Sequence, residues 1–262
     1  MSKTTPLHFN YSDYKNHKVE YNDEVTNIAI TKLLQGGQAI VSPTKVGYVI
    51  LAIDSGGLEK KFELKQRPKR KPGVVLCKDN LHVETLAQTT EKIRTLYKLA
   101  QEHDILLGCI LPWQNEPYQR LVPNDSKLMM SDARATSCFV IRYGFPSEEI
   151  IRKMWTGHNH LCFASSANPS GKGNRGKLEG VGDRILEGAN LIIEGDEYVA
   201  SQQPDVSEKT RYEQGIMLSF VDDSGTLSDN PTIIRHGLKL EEIKVLLKEV
   251  FGNFKDSHGS YY

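Results

Sequence analysis

The chain has 262 residues, 39% of them hydrophobic and 25% charged, with 33 Lys and Arg balanced by 33 Asp and Glu. That is the composition of a globular protein large enough to bury a core without disulfides or metal. A net charge of zero excludes a basic field over the whole molecule, so any nucleotide or RNA binding has to come from a local basic patch.

Residues 1–22 read as a polar extension with little capacity for burial. Asp23 can cap a helix over residues 24–35, where Val25, Ile28, Ala29 and Leu33 fall near helical spacing and Gly36-Gly37 stops the run. A short buried strand at 38–42 ends at Pro43, and 46–53 is a second apolar segment. A short helix is expected at 58–65, a strand at 74–77, one long helix at 83–103 and a strand at 105–111. Residues 112–132 read as irregular. Next come a strand at 138–142, a helix at 146–155 and a strand at 161–164 running into the polar turn 165–171. Strands at 191–194 and 216–221 and a helix at 240–251 complete the pattern, followed by a polar tail. Alternating strands and helices without internal repeats predict an α/β sheet covered by helices.

Cys77, Cys109, Cys138 and Cys162 lack the C-x-x-C spacing of a zinc or redox centre. Three of them sit in apolar runs and read as small buried hydrophobes, which suits a reducing compartment. The first twenty residues lack an apolar signal core, and 48–53 is too short to span a bilayer. The expectation is a cytoplasmic protein with no membrane partner.

Three segments carry candidate chemistry. Lys65-Gln66-Arg67-Pro68-Lys69-Arg70-Lys71 concentrates positive charge, and Pro68 and Pro72 keep it out of a helix. Arginine offers a bidentate fork and lysine a compact point charge to a phosphate. Ala164-Ser165-Ser166-Ala167-Asn168-Pro169-Ser170-Gly171 brings a strand into a turn of small polar residues, whose hydroxyls, amide and backbone N–H groups can cradle anionic oxygens. Val41-Ser42-Pro43-Thr44-Lys45-Val46-Gly47-Tyr48 places Thr44 at a strand exit, where α/β sheets often bind ligands. Each also has a plain structural reading: a solvated loop, an Asx or Ser/Thr turn, and packing.

In this order the segments resemble the YrdC-like family of threonylcarbamoyl-AMP synthases. That family carries a Pro-Thr-acidic-Thr-x-aromatic-Gly strand exit, then Lys-x-Arg-Pro, Ser-Ala-Asn-x-Ser-Gly and Arg-x-Gly. Here they stand as Pro43-Thr44 with Tyr48, Lys65-Gln66-Arg67-Pro68, Ser166 to Gly171, and Arg235-His236-Gly237. The resemblance implies a twisted mixed sheet with helices packed on it, enclosing a basic cavity. It covers a domain at 23–238, leaving the extension at 1–22 and a C-terminal helix and polar tail at 239–262.

The activity implied is condensation of ATP, bicarbonate and L-threonine to threonylcarbamoyl-AMP and pyrophosphate, with Mg²⁺ accompanying the ATP. The product serves modification of a tRNA adenosine, making tRNA or tRNA-modifying proteins possible partners. By resemblance, Lys65 and Arg67 meet the phosphates with Lys71 assisting. Ser166, Asn168, Arg142 and Arg235 line the nucleotide site, and Thr44 and Tyr48 border the amino-acid end. No protein nucleophile and no resident metal are implied.

The chain departs from the pattern where the family's acidic residue is Lys45, its second threonine Val46 and its glycine Val49. The family's Trp-Pro-Gly-Pro stretch is replaced by a different arrangement around Pro112 and Trp113. These changes leave the amino-acid substrate open. They keep two alternatives in play: a non-catalytic YrdC-like module that binds RNA or nucleotide, and a carbamoyltransferase that forms a carbamoyl-adenylate. Gly171 to Lys177 is glycine-rich and basic but lacks the ending of a P-loop, and reads as a mobile loop. Tyr11, Tyr14 and Tyr21 read as part of a disordered arm.

Overall fold

The first helix, α1 (Glu24–Leu34), stops where Gly36 and Gly37 take φ of 76° and 64°. Glycine enters this left-handed region without a Cβ clash, so the predicted stop has a backbone cause. The computed structural model describes residues 7–10, 24–66, 72–122, 124–169, 176–204 and 214–259.

In chain order the first segment holds β1 (Leu7–Asn10), α1, β2 (Ile40–Thr44), β3 (Gly47–Ala52) and α2 (Ser55–Lys65). The second holds β4 (Val74–Leu76), α3 (Asn80–Leu86), α4 (Glu91–Glu102), β5 (Leu107–Pro112), α5 (Asn115–Leu121), α6 (Lys127–Met130) and β6 (Thr136–Ile141). The third holds α7 (Ser147–His158), β7 (Cys162–Ser166), α8 (Asp183–Gly188), β8 (Leu191–Glu194) and α9 (Asp196–Gln202). The last holds β9 (Ile216–Val221), β10 (Leu227–Arg235), α10 (Leu240–Phe251) and β11 (Lys255–Asp256). The chain divides into two compact units, one of residues 1–71 and 144–212, the other of 72–143 and 213–262.

In the first unit the strands run in the order β1-β8-β2-β3-β7. β8 is parallel to both β1 and β2, while β2–β3 and β3–β7 are antiparallel, so the sheet is mixed. Val41, Tyr48, Ile50 and Ile192 form a core with Val181, Ile185 and Val199, and Leu64 of α2 packs against it. Packing of α1 beside α7 belongs to the same unit. The start of α7 is fixed by buried hydroxyls: Ser42 Oγ and Ser147 Oγ lie 2.8 Å apart, and Ser147 Oγ donates to Pro43 O at 2.9 Å.

The second unit is also mixed, in the order β4-β6-β5-β9-β10-β11. Its helices α4 and α10 pack together. All four cysteines of the chain are buried and free, in keeping with their apolar sequence surroundings.

The structure departs from the sequence reading in several places, of which three follow. The single helix expected at 83–103 is two helices. Asp79 caps α3 by accepting from His82 N at 2.7 Å, and Thr90 caps α4 by accepting from Ile93 N at 3.3 Å. Between them Gln88 N donates to Pro112 O at 2.8 Å. Two separate caps satisfy N–H groups that a continuous helix would bond internally. The region read as irregular contains α5 and α6. Both ends of the chain add strands: β1 pairs with β8, and β11 pairs with β10.

Candidate functional site

Helix α2 is anchored at its start by Asp54, which accepts from Gly57 N at 2.7 Å and from Gly37 N at 2.9 Å. It ends at Gln66 with a left-handed φ of 49°. Its buried positions are Gly57, Leu58, Lys61, Phe62 and Lys65, the i, i+3, i+4 spacing of an inward stripe. Lys65 is the last residue of the helix, where the sequence expectation of a helix at 58–65 ends it, and it is only 4% exposed.

The Lys65 ammonium donates to the carbonyl oxygen of Ser166, and Ser166 Oγ lies 3.3 Å away. A buried ammonium is costly unless hydrogen-bonded or paired, and Ser166 supplies one such contact. The same carbonyl accepts from Asn168 N at 3.0 Å, closing the turn after β7. Ala167 N donates to Tyr48 O at 2.7 Å, so the turn is stitched to β3. The cationic segment and the serine–asparagine turn thus meet at Lys65 and Ser166. Asn168 Nδ2 donates to Pro169 O at 3.0 Å. Asn168 Oδ1 and Ser165 Oγ are buried with no hydrogen-bond partner among the described residues.

The strand exit is more tightly built than its sequence suggests. Thr44 pairs with Gly47 across the turn Lys45-Val46. The Thr44 hydroxyl donates to Gly47 O at 2.8 Å and accepts from Val46 N at 3.3 Å. Lys45 is 5% exposed, and its carbonyl accepts from Gln203 Nε2 at 3.0 Å. Tyr48 is buried. Its phenol donates to Asp196 Oδ1 at 2.5 Å and accepts from Gly195 N at 2.9 Å. Burial, reinforced by the Asp196 carboxylate, pushes the phenol pKa far above its usual value.

Arg142 and Arg235 belong to the second unit. Arg142 has φ of 58° and holds Asp104, with Nε donating to Oδ1 at 2.7 Å. Arg235 Nε donates to Gly215 O at 2.8 Å. Arg67 and Lys71 lie outside the described residues, as do the loop 170–175 and Tyr11, Tyr14 and Tyr21. No group of three or more His, Cys, Asp or Glu among the described residues could hold a metal ion. No described helix is long and apolar enough to cross a membrane.

Sequence reasoning missed Asp196, Lys61 and Ser165. Asp196 is far from Tyr48 in sequence and carries no motif. Lys61 belongs to no motif either. Ser165 lies in the polar turn 165–171, whose motif begins one residue later, at Ser166.

A family model described as Sua5/YciO/YrdC, "Telomere recombination", matches residues 32–210. The chain belongs to the Sua5/YciO/YrdC family. A hypothetical protein, smu.1377c of Streptococcus mutans UA159, is 40% identical, with a TM-score of 0.87 over 98% of this chain and 100% of that one. Sua5 of P. abyssi, solved in complex with L-threonine, is 20% identical with a TM-score of 0.63. The match covers 97% of this chain and 62% of the Sua5 chain. E. coli YciO is 17% identical, with a TM-score of 0.59 over 91% of this chain and 97% of its own. The last two likenesses are of fold. No curated protein matches the sequence.

Proposed function

We propose that this Sua5/YciO/YrdC protein forms a threonylcarbamoyl-AMP-type acyl adenylate from ATP, bicarbonate and a small amino acid, for tRNA adenosine modification. The observation that carries the reading is the meeting of Lys65 and Ser166, which joins the family's cationic and serine–asparagine segments at one place. The likeness to a Sua5 solved with L-threonine supports a small amino acid as substrate.

In this reading the amine of the amino acid adds to bicarbonate, giving a carbamate and water. A carbamate oxygen attacks the α-phosphorus of ATP, the bond to the β-phosphate oxygen breaks, and pyrophosphate leaves. Catalysis rests on positioning and on neutralising charge at the phosphates. Lys65 and Arg67 serve there with Lys71. Ser166 and Asn168 serve the nucleotide, and Thr44 and Tyr48 the amino-acid end. Mg²⁺ enters as part of the substrate, bound to the triphosphate.

The test is pyrophosphate release from ATP and bicarbonate with a panel of amino acids. L-threonine is expected to give turnover. Lys45, where the family has an acidic residue, makes other acids and carbamoyl phosphate essential members of that panel. Silence with every acceptor overturns the enzyme. The engagement of the Thr44 hydroxyl inside its own hairpin favours a second reading, a binding module without turnover. Binding of tRNA that weakens steeply with salt, together with no ATP consumption, selects it.

A further inference from the structure

The second unit has a cavity of about 550 Å³ between α3, the start of α4, the start of α5 and the first residue of β10. That volume is in the range of small-molecule sites. Glu84, Gln88, Arg94, Gln114 and Leu227 are among its lining residues. None of them has a part in the proposed function. The walls are tied together by the backbone. Gln88 N donates to Pro112 O and Gln114 N to Leu86 O, both at 2.8 Å, and Ala87 forms a bridge with Trp113.

Both glutamine side chains are held in place. Gln88 Nε2 donates to Trp113 O at 2.9 Å, and Gln114 Nε2 donates to Glu84 O at 2.6 Å and to Ala87 O at 3.3 Å. Spending amide N–H groups on the backbone leaves the two amide oxygens as acceptors. With the Glu84 carboxylate they make an acceptor set suited to the three N–H donors of an ammonium group. Arg94 supplies the opposite pole. Its Nη1 donates to Thr89 O at 3.2 Å and to Thr89 Oγ1 at 3.4 Å, which leaves Nε and Nη2 unspent among the described residues. An arginine edge of this kind takes a carboxylate with two parallel hydrogen bonds. Glu84 and Arg94 thus line one cavity, yet neither has an ion-pair partner among the described residues. Opposite charges that do not neutralise each other suit a molecule that carries both.

We infer that this cavity binds a free amino acid as its zwitterion. The ammonium meets Glu84 and the oxygens of Gln88 and Gln114, the carboxylate meets Arg94, and Leu227 offers apolar surface to the side chain. The inference does not rest on the proposed function, whose residues at the amino-acid end, Thr44 and Tyr48, belong to the first unit.

The experiment is calorimetric titration of the full chain with a panel of free L-amino acids, then with the N-acetyl and carboxamide forms of the tightest binder. Wild type should prefer the zwitterion to either capped form by about fivefold or more, the scale of one charge-assisted hydrogen bond in a partly open site. Glu84→Gln should erase the discrimination against the N-acetyl form and keep that against the carboxamide. Arg94→Gln should do the reverse. Neither side chain is buried, so both variants should fold. If one does not, the wild-type comparison of zwitterion with capped forms decides alone. Equal affinity for zwitterion and a capped form in wild type overturns the inference, as does no binding of any amino acid at millimolar concentration. Wild-type affinity for the zwitterion in either variant also overturns it, and in both variants it points to the Thr44 and Tyr48 end instead. The pyrophosphate assay reports separately on the proposed function.

Discussion

Tyr48 and Asp196 stand 148 positions apart, and their side chains meet at 2.5 Å. The phenol links β3 to the start of α9, and Asp196 Oδ1 also accepts from Leu178 N at 2.8 Å. One carboxylate therefore ties together three parts of the first unit. The tyrosine of the strand-exit motif spends its hydroxyl inside the fold.

Tyr48→Phe should accordingly destabilise the protein by about 1–3 kcal/mol, because it strands the Gly195 N–H in a buried place and removes one of the two hydrogen bonds to Asp196 Oδ1. Urea unfolding measures this. An unchanged midpoint, with altered amino-acid dependence of turnover, would move the hydroxyl from architecture to ligand.

Lys65→Met should reduce pyrophosphate release by about 10²-fold or more, the scale seen when a single donor to a developing oxyanion is removed. The fold should survive, since an apolar stem of the same length replaces a buried charge. Turnover close to wild type in a folded variant would remove Lys65 from the phosphate site.

Gly144 has φ of 98°, and a Cβ there would lie 2.3 Å from the Tyr198 hydroxyl and 2.8 Å from Lys45 Cγ. Gly144→Ala should cost at least about 2 kcal/mol, combining left-handed strain with overpacking. Thermal unfolding checks the value. A neutral substitution would mean that the Lys45 and Tyr198 side chains yield easily.

His82 is buried, and desolvation lowers its pKa to about 4 from 6.5. Its Nδ1 accepts from Lys78 N at 3.2 Å. The folded state disfavours the proton, so stability is full above pH 6.5 and is lost as pH falls toward 4. The contribution lost is about 3 kcal/mol. In His82→Gln the acid-side slope of unfolding free energy between pH 6.5 and 4 should shrink by this amount. An identical slope would assign the acid sensitivity to other groups.

The four thiols should be silent toward a disulfide reagent in the native state and react fully in urea. Burial raises the pKa of each, that of Cys138 and Cys162 to about 12. Rapid labelling of any one of them at neutral pH would contradict the packing around it.

Much of the fold was legible because periodicity and punctuation agree. Leu191–Glu194, Ile216–Val221 and Leu240–Phe251 fall where their apolar patterns place them. The break between α3 and α4 was not legible, since Ile93, Leu96 and Ala100 continue a helical stripe while the decisive caps at Asp79 and Thr90 are single polar residues. Strand β11 is Lys255-Asp256, two charged residues with no strand signal of their own, and it exists by pairing with β10. At the site, Lys65 and Ser166 belong to two segments that their composition singles out, and their contact joins residues 101 positions apart. The Tyr48–Asp196 link depends on chain reversal that no local pattern encodes. Lys61 was missed because a lysine is normally read as a solvent-facing residue, yet this one occupies a core position of its helix.

Strand β8 has a neighbour on each edge, with Leu191 opposite Leu7 of β1 and opposite Ile40 of β2. On the ribosome those two neighbours appear long before the strand that must slot between them. Until residue 191 is translated, the inner edges of β1 and β2 stay open to any passing extended chain. The nascent protein is thus most vulnerable to aggregation late in synthesis, and chaperone dependence should fall sharply once the chain has grown past β8.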